Sequence, residues 1–208
     1  MLDFLFEQSF LKRTVCGIDE VGCGSLAGPV VATAVILPEV LPKILYEQLN
    51  DSKLLSARKR ESLFSIIHSC SLIGIGHSNV DEIDRLNILQ ATFLAMQRAF
   101  KKLNKIKVID LALVDGNRDP LLSCQVKCIV NGDRLSLSIA AASIVAKITR
   151  DRYMHTIAKI MPGYGWERNV GYGTSEHLKA INRLGVTVYH RHSFAPIAKA
   201  ISQTIALD

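Results

Sequence analysis

The sequence contains no apolar run near the roughly 20 residues that a membrane-spanning helix requires. Its first thirteen residues are mixed in character and include Asp3 and Glu7, so we expect no secretory signal. It also lacks internal repeats, low-complexity tracts and linkers. With 208 residues, we expect a single domain over residues 1–208 that can bury a full core, of which about 160–208 form a C-terminal helical extension.

The cysteines do not suggest a disulfide framework. Their number is odd, and no secretory signal precedes them, so we expect reduced thiols and a cytoplasmic protein. No histidine or second cysteine pair accompanies Cys124 and Cys128, which argues against a zinc site. The five cysteines are Cys16, Cys23, Cys70, Cys124 and Cys128.

Acidic residues are scarce in the last third of the chain. Residues 1–133 contain 15 Lys and Arg against 15 Asp and Glu, whereas residues 134–208 contain 10 against 4 and so carry the entire net charge of +6. A basic segment of this kind can attract phosphates. A solvated basic surface explains the charge equally well, and both interpretations stay open on the sequence.

Residues 15–37 (VCGIDEVGCGSLAGPVVATAVIL) have the pattern of a strand, a tight glycine-rich loop and a second strand. Two adjacent acids, Asp19 and Glu20, lie within the first apolar run. Neighbouring side chains of a strand point to opposite faces, so one acid faces inward or lies at a bend. A buried carboxylate needs a partner or a metal. The alternative is a solvated, idle pair at a strand end.

Two later strands are predicted to end in Gly/Asp turns. Val108–Val114 precedes Asp115, and Gln125–Val130 is followed by Asn131, Gly132 and Asp133. Each acid either starts a turn or joins a site at the carboxyl end of a sheet. If Asp19, Glu20, Asp115 and Asp133 converge, they require cations, and oxygen ligands suit Mg²⁺ or Mn²⁺. Two such ions about 4 Å apart can hydrolyse a phosphodiester.

Hydrophobic periodicity predicts the main helices. One follows an N-cap at Ser56 and covers Ala57–Ser69. A single long helix follows the capping box of Asn79 and Glu82, with apolar positions from Ile83 to Leu103. The segment Leu135–Met161 is another helix.

Three side chains of the Leu135–Met161 helix share one face, because they recur every four residues: Ser143, Lys147 and Asp151.

The segment after this helix is rich in glycine and aromatic residues. Tyr164, Trp166 and Tyr172 are candidates to stack on bases or sugars, although such residues more often anchor the packing of a loop. A helix near Glu176–Leu184 follows. The next segment, Val186–His192, is β-prone and basic.

The chain resembles the ribonuclease HII family, the type 2 ribonucleases H, from about Gly17 to Pro196. The resemblance rests on the motifs GIDEVGxGxLAGPVVA, DSK, LVDGN, NGD, SIAAASIVAKITRDR, GYGTSEH and YHRxSFAP. It implies an α/β RNase H-like fold, with a five-stranded mixed sheet flanked by helices and a C-terminal helical part that binds substrate.

The resemblance also implies an activity. Members hydrolyse RNA in RNA/DNA hybrids with Mg²⁺ or Mn²⁺ and leave 5′-phosphomonoesters. They incise 5′ to single ribonucleotides in duplex DNA, which serves ribonucleotide removal and Okazaki primer processing. The implied partners are RNA/DNA hybrids and ribonucleotide-containing duplexes, without a membrane, and we expect a monomer.

Individual roles follow from the matched positions. The resemblance makes the four acids the catalytic metal ligands and gives Gly22 and Gly24 backbone contacts to the ribose 2′-OH, which distinguishes RNA from DNA. It implies that Tyr172 stacks under the neighbouring deoxyribose. Further contacts to the substrate backbone are implied for three residues: Lys53, Ser143 and Lys147. For Ser143, a packing role is the alternative.

Two positions depart from the family pattern. The usual Gly-Arg-Gly is here Gly22-Cys23-Gly24, so the charged phosphate contact of an arginine is lost. We expect weaker substrate binding at Cys23, or compensation by Lys53 or another basic residue. A catalytic thiol is not expected, because metal-activated water needs no protein nucleophile. His192 replaces a second common arginine.

Alternative functions are a type 3 ribonuclease H that acts on longer hybrids, another RNase H-fold nuclease such as a resolvase, and a non-catalytic nucleic-acid-binding protein. Type 3 chains usually carry an extra N-terminal domain, whereas the first acid pair here already lies at residue 19. The presence of all four acids argues against the non-catalytic alternative.

Overall fold

The structure is a computed structural model that describes residues 7, 10, 13–49 and 55–205. Within these residues five strands form one mixed sheet in the order β3-β2-β1-β4-β5. Their bounds are Val15–Val21 (β1), Val30–Ile36 (β2), Leu72–Ser78 (β3), Leu111–Asp115 (β4) and Gln125–Ile129 (β5). The Asn50–Lys53 turn, and with it the candidate Lys53, lies outside the described residues.

Strand β1 is the centre of the sheet. It pairs antiparallel with β2, which continues antiparallel to β3, and it pairs parallel with β4, which continues parallel to β5. The predicted α/β class with a five-stranded mixed sheet and flanking helices is therefore confirmed.

The helices of the described residues are Lys43–Gln48 (α1), Ala57–Cys70 (α2), Val80–Leu86 (α3), Ile88–Asn104 (α4), Leu137–Ile160 (α5), Trp166–Asn169 (α6), Ser175–Leu184 (α7) and Ala195–Ile205 (α8). The predicted N-cap at Ser56 and the capping box of Asn79 and Glu82 are both present. None of these helices combines the length and the apolar character needed to cross a bilayer.

The prediction of one long helix after Asn79 is wrong, because the chain forms two helices that meet at Asn87. This residue has φ 69° and ψ 165°, so the backbone leaves the helical conformation. Its side chain accepts a hydrogen bond from the amide of Gln90 at 3.1 Å and caps α4. The apolar period continues through the break, and for this reason periodicity alone did not reveal it.

The β-prone segment Val186–His192 forms no strand. The amide of His190 donates to the carbonyl of Thr187 at 3.0 Å, which folds the segment into a turn. One isolated bridge, between Ala27 and His190, is the extent of its β-pairing among the described residues.

Helices cover both faces of the sheet, and α5 comes especially close to β1. A Cβ atom on Gly17 would lie 2.1 Å from the backbone carbon of Ser138, so only glycine permits this approach. Thr33 of β2 donates a hydrogen bond of 2.7 Å to the carbonyl of Ala142. The alanine-rich face of α5 thus lies directly on the central strands and brings its polar residues to the sheet edge.

The C-terminal segments pack on the glycine-rich loop. Leu26 and Ala27 share an apolar cluster with residues from α5, α6 and α8, among them Met154 and Trp166. Tyr164 and Trp166 are buried and stacked on each other, with ring centroids 4.8 Å apart. They are therefore packing anchors, and the interpretation of these two rings as base-stacking groups is wrong.

Candidate active site

The pairing register places two acids side by side. The last parallel pair of β1 and β4 is Ile18 with Val114, so the next residues, Asp19 and Asp115, lie on adjacent strands at the same edge of the sheet. Asp19 is buried, and Asp115 is partly exposed. Strand β1 continues through Glu20, which is also partly exposed.

A short turn brings the fourth acid to this edge. Asn131 adopts a left-handed conformation with φ 55°, and the 3-10 helix Gly132–Arg134 follows. The amide of Gly132 donates a hydrogen bond of 2.7 Å to Oδ1 of Asp115. The turn that carries Asp133 is therefore attached to Asp115 itself.

One cavity of about 300 Å³ collects most of the predicted site residues. It is lined by Asp19, Glu20, Val21, Asp115, Asp133, Ser143, Lys147 and Tyr172. All four acids thus meet, together with two side chains of α5 and one aromatic ring from the C-terminal part. Gly22, Cys23 and Gly24 follow directly after Val21 and are not among the lining residues.

Burial and electrostatic repulsion both act on these acids. Burial raises the pKa of the Asp19 carboxyl well above its usual range, and the negative charges of Glu20 and Asp115 raise it further. Hydrogen bonds from Ser143 and from the amide of Glu20 oppose this rise. Such a group of carboxylates is stabilised when a cation replaces the missing positive charge.

The donor chemistry of the cavity fits a divalent cation such as Mg²⁺ or Mn²⁺, since all four acids supply oxygen ligands. The acids are near one another without forming a preassembled ligand set: among the described residues, no three His, Cys, Asp or Glu side chains form a group that would hold a metal.

Ser143 and Lys147 reach the cavity from α5. The hydrogen bond of Ser143 goes to Asp19, so in this structure the residue supports an acid. The ammonium group of Lys147 lies 2.8 Å from Oδ1 of Asp151, an ion pair along one face of the helix. The predicted shared face of Ser143, Lys147 and Asp151 is consistent with these contacts.

The C-terminal part closes one side of the site through Tyr172. Its backbone forms an isolated antiparallel bridge with Ser25 of the glycine-rich loop. The amide of Leu26 also donates to the carbonyl of Gly171 at 2.8 Å. Tyr172 is 36% exposed and lines the cavity.

Cys23 is partly buried, and its thiol contacts two polar side chains. Its thiol lies 3.3 Å from Oγ1 of Thr92 and donates to Oε1 of Glu20 at 3.7 Å. Burial, followed by the charge of Glu20, raises the pKa of this thiol to about 12. The group is thus a neutral thiol near pH 7, in agreement with the expectation that it is not a nucleophile.

Sequence reasoning missed two arginines beneath the loop. Arg150 and Arg191 are fully buried, and their guanidinium groups bond to carbonyls of the glycine-rich loop. His177 and His190 are fully buried as well. The basic C-terminal third is therefore not simply a solvated surface. An arginine within the apolar helix α5 was the available signal, since a buried guanidinium needs several acceptors.

Comparisons with known proteins agree with this architecture. A model of the family described as Ribonuclease HII matches residues 16–197. The chain is 60% identical over 186 residues to the Ribonuclease HII of Paramagnetospirillum magneticum. The match covers 89% of this chain and 92% of that protein.

Solved structures with low sequence identity share the fold. The crystal structure of ribonuclease H2 from Pyrococcus horikoshii superimposes with a TM-score of 0.75 at 23% identity and covers 91% of this chain and 97% of that one. A second is the crystal structure of Bst-RNase HIII in complex with Mn²⁺. Its TM-score is 0.72 at 18% identity, and the match covers 92% of this chain and 70% of that one.

Proposed function

The chain belongs to the ribonuclease HII family, and on this basis we propose that it is an endonuclease that incises ribonucleotide-containing duplexes 5′ to a single ribonucleotide. Ribonuclease H activity on RNA/DNA follows from membership of the family. The observation that supports the finer proposal is the cavity in which all four acids meet Tyr172 beside the glycine-rich loop.

The proposed metal ligands are Asp19, Glu20, Asp115 and Asp133. A divalent cation, Mg²⁺ or Mn²⁺, would supply an activated water and stabilise the leaving oxygen of the phosphodiester. The structural relative Bst-RNase HIII was crystallised in complex with Mn²⁺, which is consistent with this choice of ion. In this chain, Ser143 forms a hydrogen bond with Asp19. The amide of Gly132, in the turn that leads to Asp133, donates a hydrogen bond to Asp115.

Ribose recognition is assigned to the backbone of Gly22, Cys23 and Gly24. Gly24 is exposed, and nothing lies within 4 Å of the position of a Cβ atom there, so a substrate backbone can approach closely. Tyr172 would pack on the neighbouring deoxyribose, and Lys147 would contact a phosphate. A phosphate contact is also proposed for Lys53, and this proposal rests only on its matched position in the family motif.

The deciding experiment compares two labelled duplexes in Mg²⁺ and in Mn²⁺. One carries a single ribonucleotide in DNA, and the other is a continuous RNA/DNA hybrid. We expect incision of the first on the 5′ side of the ribonucleotide, with a 5′-phosphate on the product. Cleavage of the continuous hybrid alone would retain the metal chemistry and refute recognition of a junction by Gly22, Gly24 and Tyr172.

Metal binding is tested separately from cleavage. Titration with Mn²⁺, followed by electron paramagnetic resonance, should show saturable binding to the wild-type protein. Replacing Asp19 with Asn should weaken that binding because a buried anionic oxygen is lost. The same change at Asp81, an exposed residue of α3, is the control and should leave binding unaltered. Equal binding by all three proteins would refute the assignment of the ligands.

A further inference from the structure

Two fully buried arginines lie beneath the glycine-rich loop. Among the described residues, neither Arg150 nor Arg191 forms an ion pair with a carboxylate within 4.0 Å. The buried charged residues that line the cavity, Asp19 and Asp133, are acidic. A buried guanidinium without such a partner is costly unless its N–H groups are satisfied. Backbone carbonyls satisfy them here.

Arg191 bonds to carbonyls along the glycine-rich loop. Its side chain donates to the carbonyls of Gly22 at 2.7 Å, Cys23 at 3.0 Å and Gly28 at 3.0 Å. Its own amide donates to the carbonyl of Leu26 at 2.9 Å. One residue, more than 160 positions away in the sequence, thus contacts both ends of the loop.

Arg150 holds the other side of the loop. It donates to the carbonyls of Ala27 at 3.0 Å and Pro29 at 2.9 Å, and to that of Val170 at 2.8 Å. A Cβ atom on Gly22 would lie 2.2 Å from Nε of Arg150. The guanidinium therefore packs directly on Gly22, which has φ 95°, a conformation that glycine adopts without strain.

These contacts determine the direction of two amide groups. In a planar trans peptide the C=O of one residue and the N–H of the next point in opposite directions, and the described chain contains no cis peptide. Since Arg191 holds the carbonyls of Gly22 and Cys23 on the inner side, the amides of Cys23 and Gly24 are turned outward. Among the described residues neither amide donates a hydrogen bond to the protein.

We propose that Arg191, supported by Arg150, is a positioning residue that presents the amides of Cys23 and Gly24 as a fixed pair of donors to the ribose 2′-oxygen of the substrate. This inference rests on the proposed function.

The guanidinium group of Arg191 keeps its positive charge near neutral pH. Burial, followed by the neighbouring charge of Arg150, lowers the pKa of Arg191 to about 9, so the guanidinium remains protonated at pH 7. The protonated form supplies all the N–H donors that the three carbonyls use. A lysine could reach some of these carbonyls, but without the planar fork it cannot hold all three in the same geometry.

The test measures discrimination between two substrates. Affinities are determined for a duplex with one ribonucleotide and for the same sequence in DNA, in an Asp115→Asn background that blocks the proposed cleavage. We expect Arg191→Met to lower the ratio of the two affinities about tenfold, the loss expected for a misplaced hydrogen-bonding pair. Arg191→Lys should give an intermediate ratio.

A matched control separates positioning from general destabilisation. Arg98 forms an ion pair with Glu82 at 2.7 Å and donates to the carbonyl of His77, so its bonds lie on β3 and α3. Arg98→Met should lower the melting temperature and leave the ratio of affinities unchanged. If Arg191→Met also lowers only the melting temperature, the proposal is wrong.

Amide resonances supply a measurement without substrate. In ¹⁵N-labelled protein the signals of Cys23 and Gly24 should shift in Arg191→Lys and exchange with solvent at changed rates. If Arg191→Met does not fold, Arg191→Lys decides the question: an unchanged ratio with unchanged signals overturns the proposal. A wild-type protein without preference for the ribonucleotide would instead refute the proposed function, while the amide signals still test the orientation.

Discussion

The amide of Gly132 donates a hydrogen bond of 2.7 Å to Oδ1 of Asp115, so the last residue of β4 holds the turn that carries Asp133. Asp115 therefore has two roles. Its negative charge belongs to the proposed metal site, and one of its oxygens maintains the local backbone. Substitutions at this residue can separate the two.

Asp115→Asn keeps a carbonyl oxygen for Gly132 and removes the charge. We expect it to abolish cleavage, reduce stability by less than about 0.5 kcal/mol and preserve duplex binding. Asp115→Ala also removes the acceptor, so stability should fall by about 1–3 kcal/mol. Cleavage assays and urea unfolding measure both effects, with Asp81→Asn as the control. An active Asp115→Asn protein would refute the two-metal assignment.

Gly17 and Gly24 make a matched pair of glycines. A Cβ atom at Gly17 would meet the backbone of α5 at 2.1 Å, whereas one at Gly24 would meet nothing within 4 Å. We expect Gly17→Ala to cost about 3 kcal/mol or more, since helix and sheet must separate. Chemical unfolding and activity of the soluble protein measure this, and a loss below about 1 kcal/mol would contradict the close packing.

Gly24→Ala should have the opposite profile. Its stability should change by less than about 0.5 kcal/mol, because the added methyl group lies in open space. The methyl group would stand between the loop and the ribose, so we expect KM for the single-ribonucleotide duplex to rise about tenfold. Unchanged KM in a stable Gly24→Ala protein would show that the substrate does not approach the loop at this residue.

Cys23→Arg tests the departure from the family pattern. An arginine cannot occupy the inward position between Glu20 and Thr92 and should turn toward the substrate. One added phosphate contact predicts a modest gain: KM should fall by about threefold, and the salt dependence of substrate binding should increase by the amount expected for one more phosphate contact. Cys23→Ser is the control of similar size. An unchanged KM would show that no phosphate contact is missing.

The convergence of the four acids was predictable because local patterns place them at strand ends. Apolar strands that end in Gly/Asp turns place Asp115 and Asp133 at one sheet edge without knowledge of distant contacts. The break at Asn87 was not predictable, since the apolar period of α3 continues into α4. A single residue in an unusual conformation ends one helix and caps the next.

Residues that act through distant partners were the least predictable. Arg191 bonds to Gly22, which lies 169 positions earlier in the chain, and nothing in the local sequence indicates that contact. Trp166 is buried in an apolar cluster, and its indole N–H donates to Nε2 of His177 at 2.9 Å. An aromatic ring in a glycine-rich loop suits either packing or stacking on a base, and only the tertiary partner decides.

The buried pair of His177 and His190 predicts acid sensitivity. Nε2 atoms of the two rings are 3.2 Å apart, and Nδ1 of His190 accepts from the amide of Thr187 at 3.0 Å. Burial, followed by the neighbouring His177, lowers the pKa of His190 to about 4. No carboxylate is among the groups that bond to either ring in the described residues.

As the pH falls, His190 is therefore protonated in the unfolded chain before it is protonated in the folded protein, because the ordinary histidine pKa is near 6.5. The contribution of neutral His190 to the free energy of unfolding is complete above about pH 6.5 and is lost as the pH falls toward about 4. The loss is about 2.5 kcal/mol at pH 4.5. Urea unfolding at pH 7.5 and pH 4.5 measures the loss. His190→Asn keeps an acceptor for Thr187 and should remove most of this acid-induced loss of stability. The same substitution at the exposed His155 should leave the loss unchanged. Equal losses in all three proteins would mean that carboxylates elsewhere, rather than the histidine pair, account for the acid sensitivity.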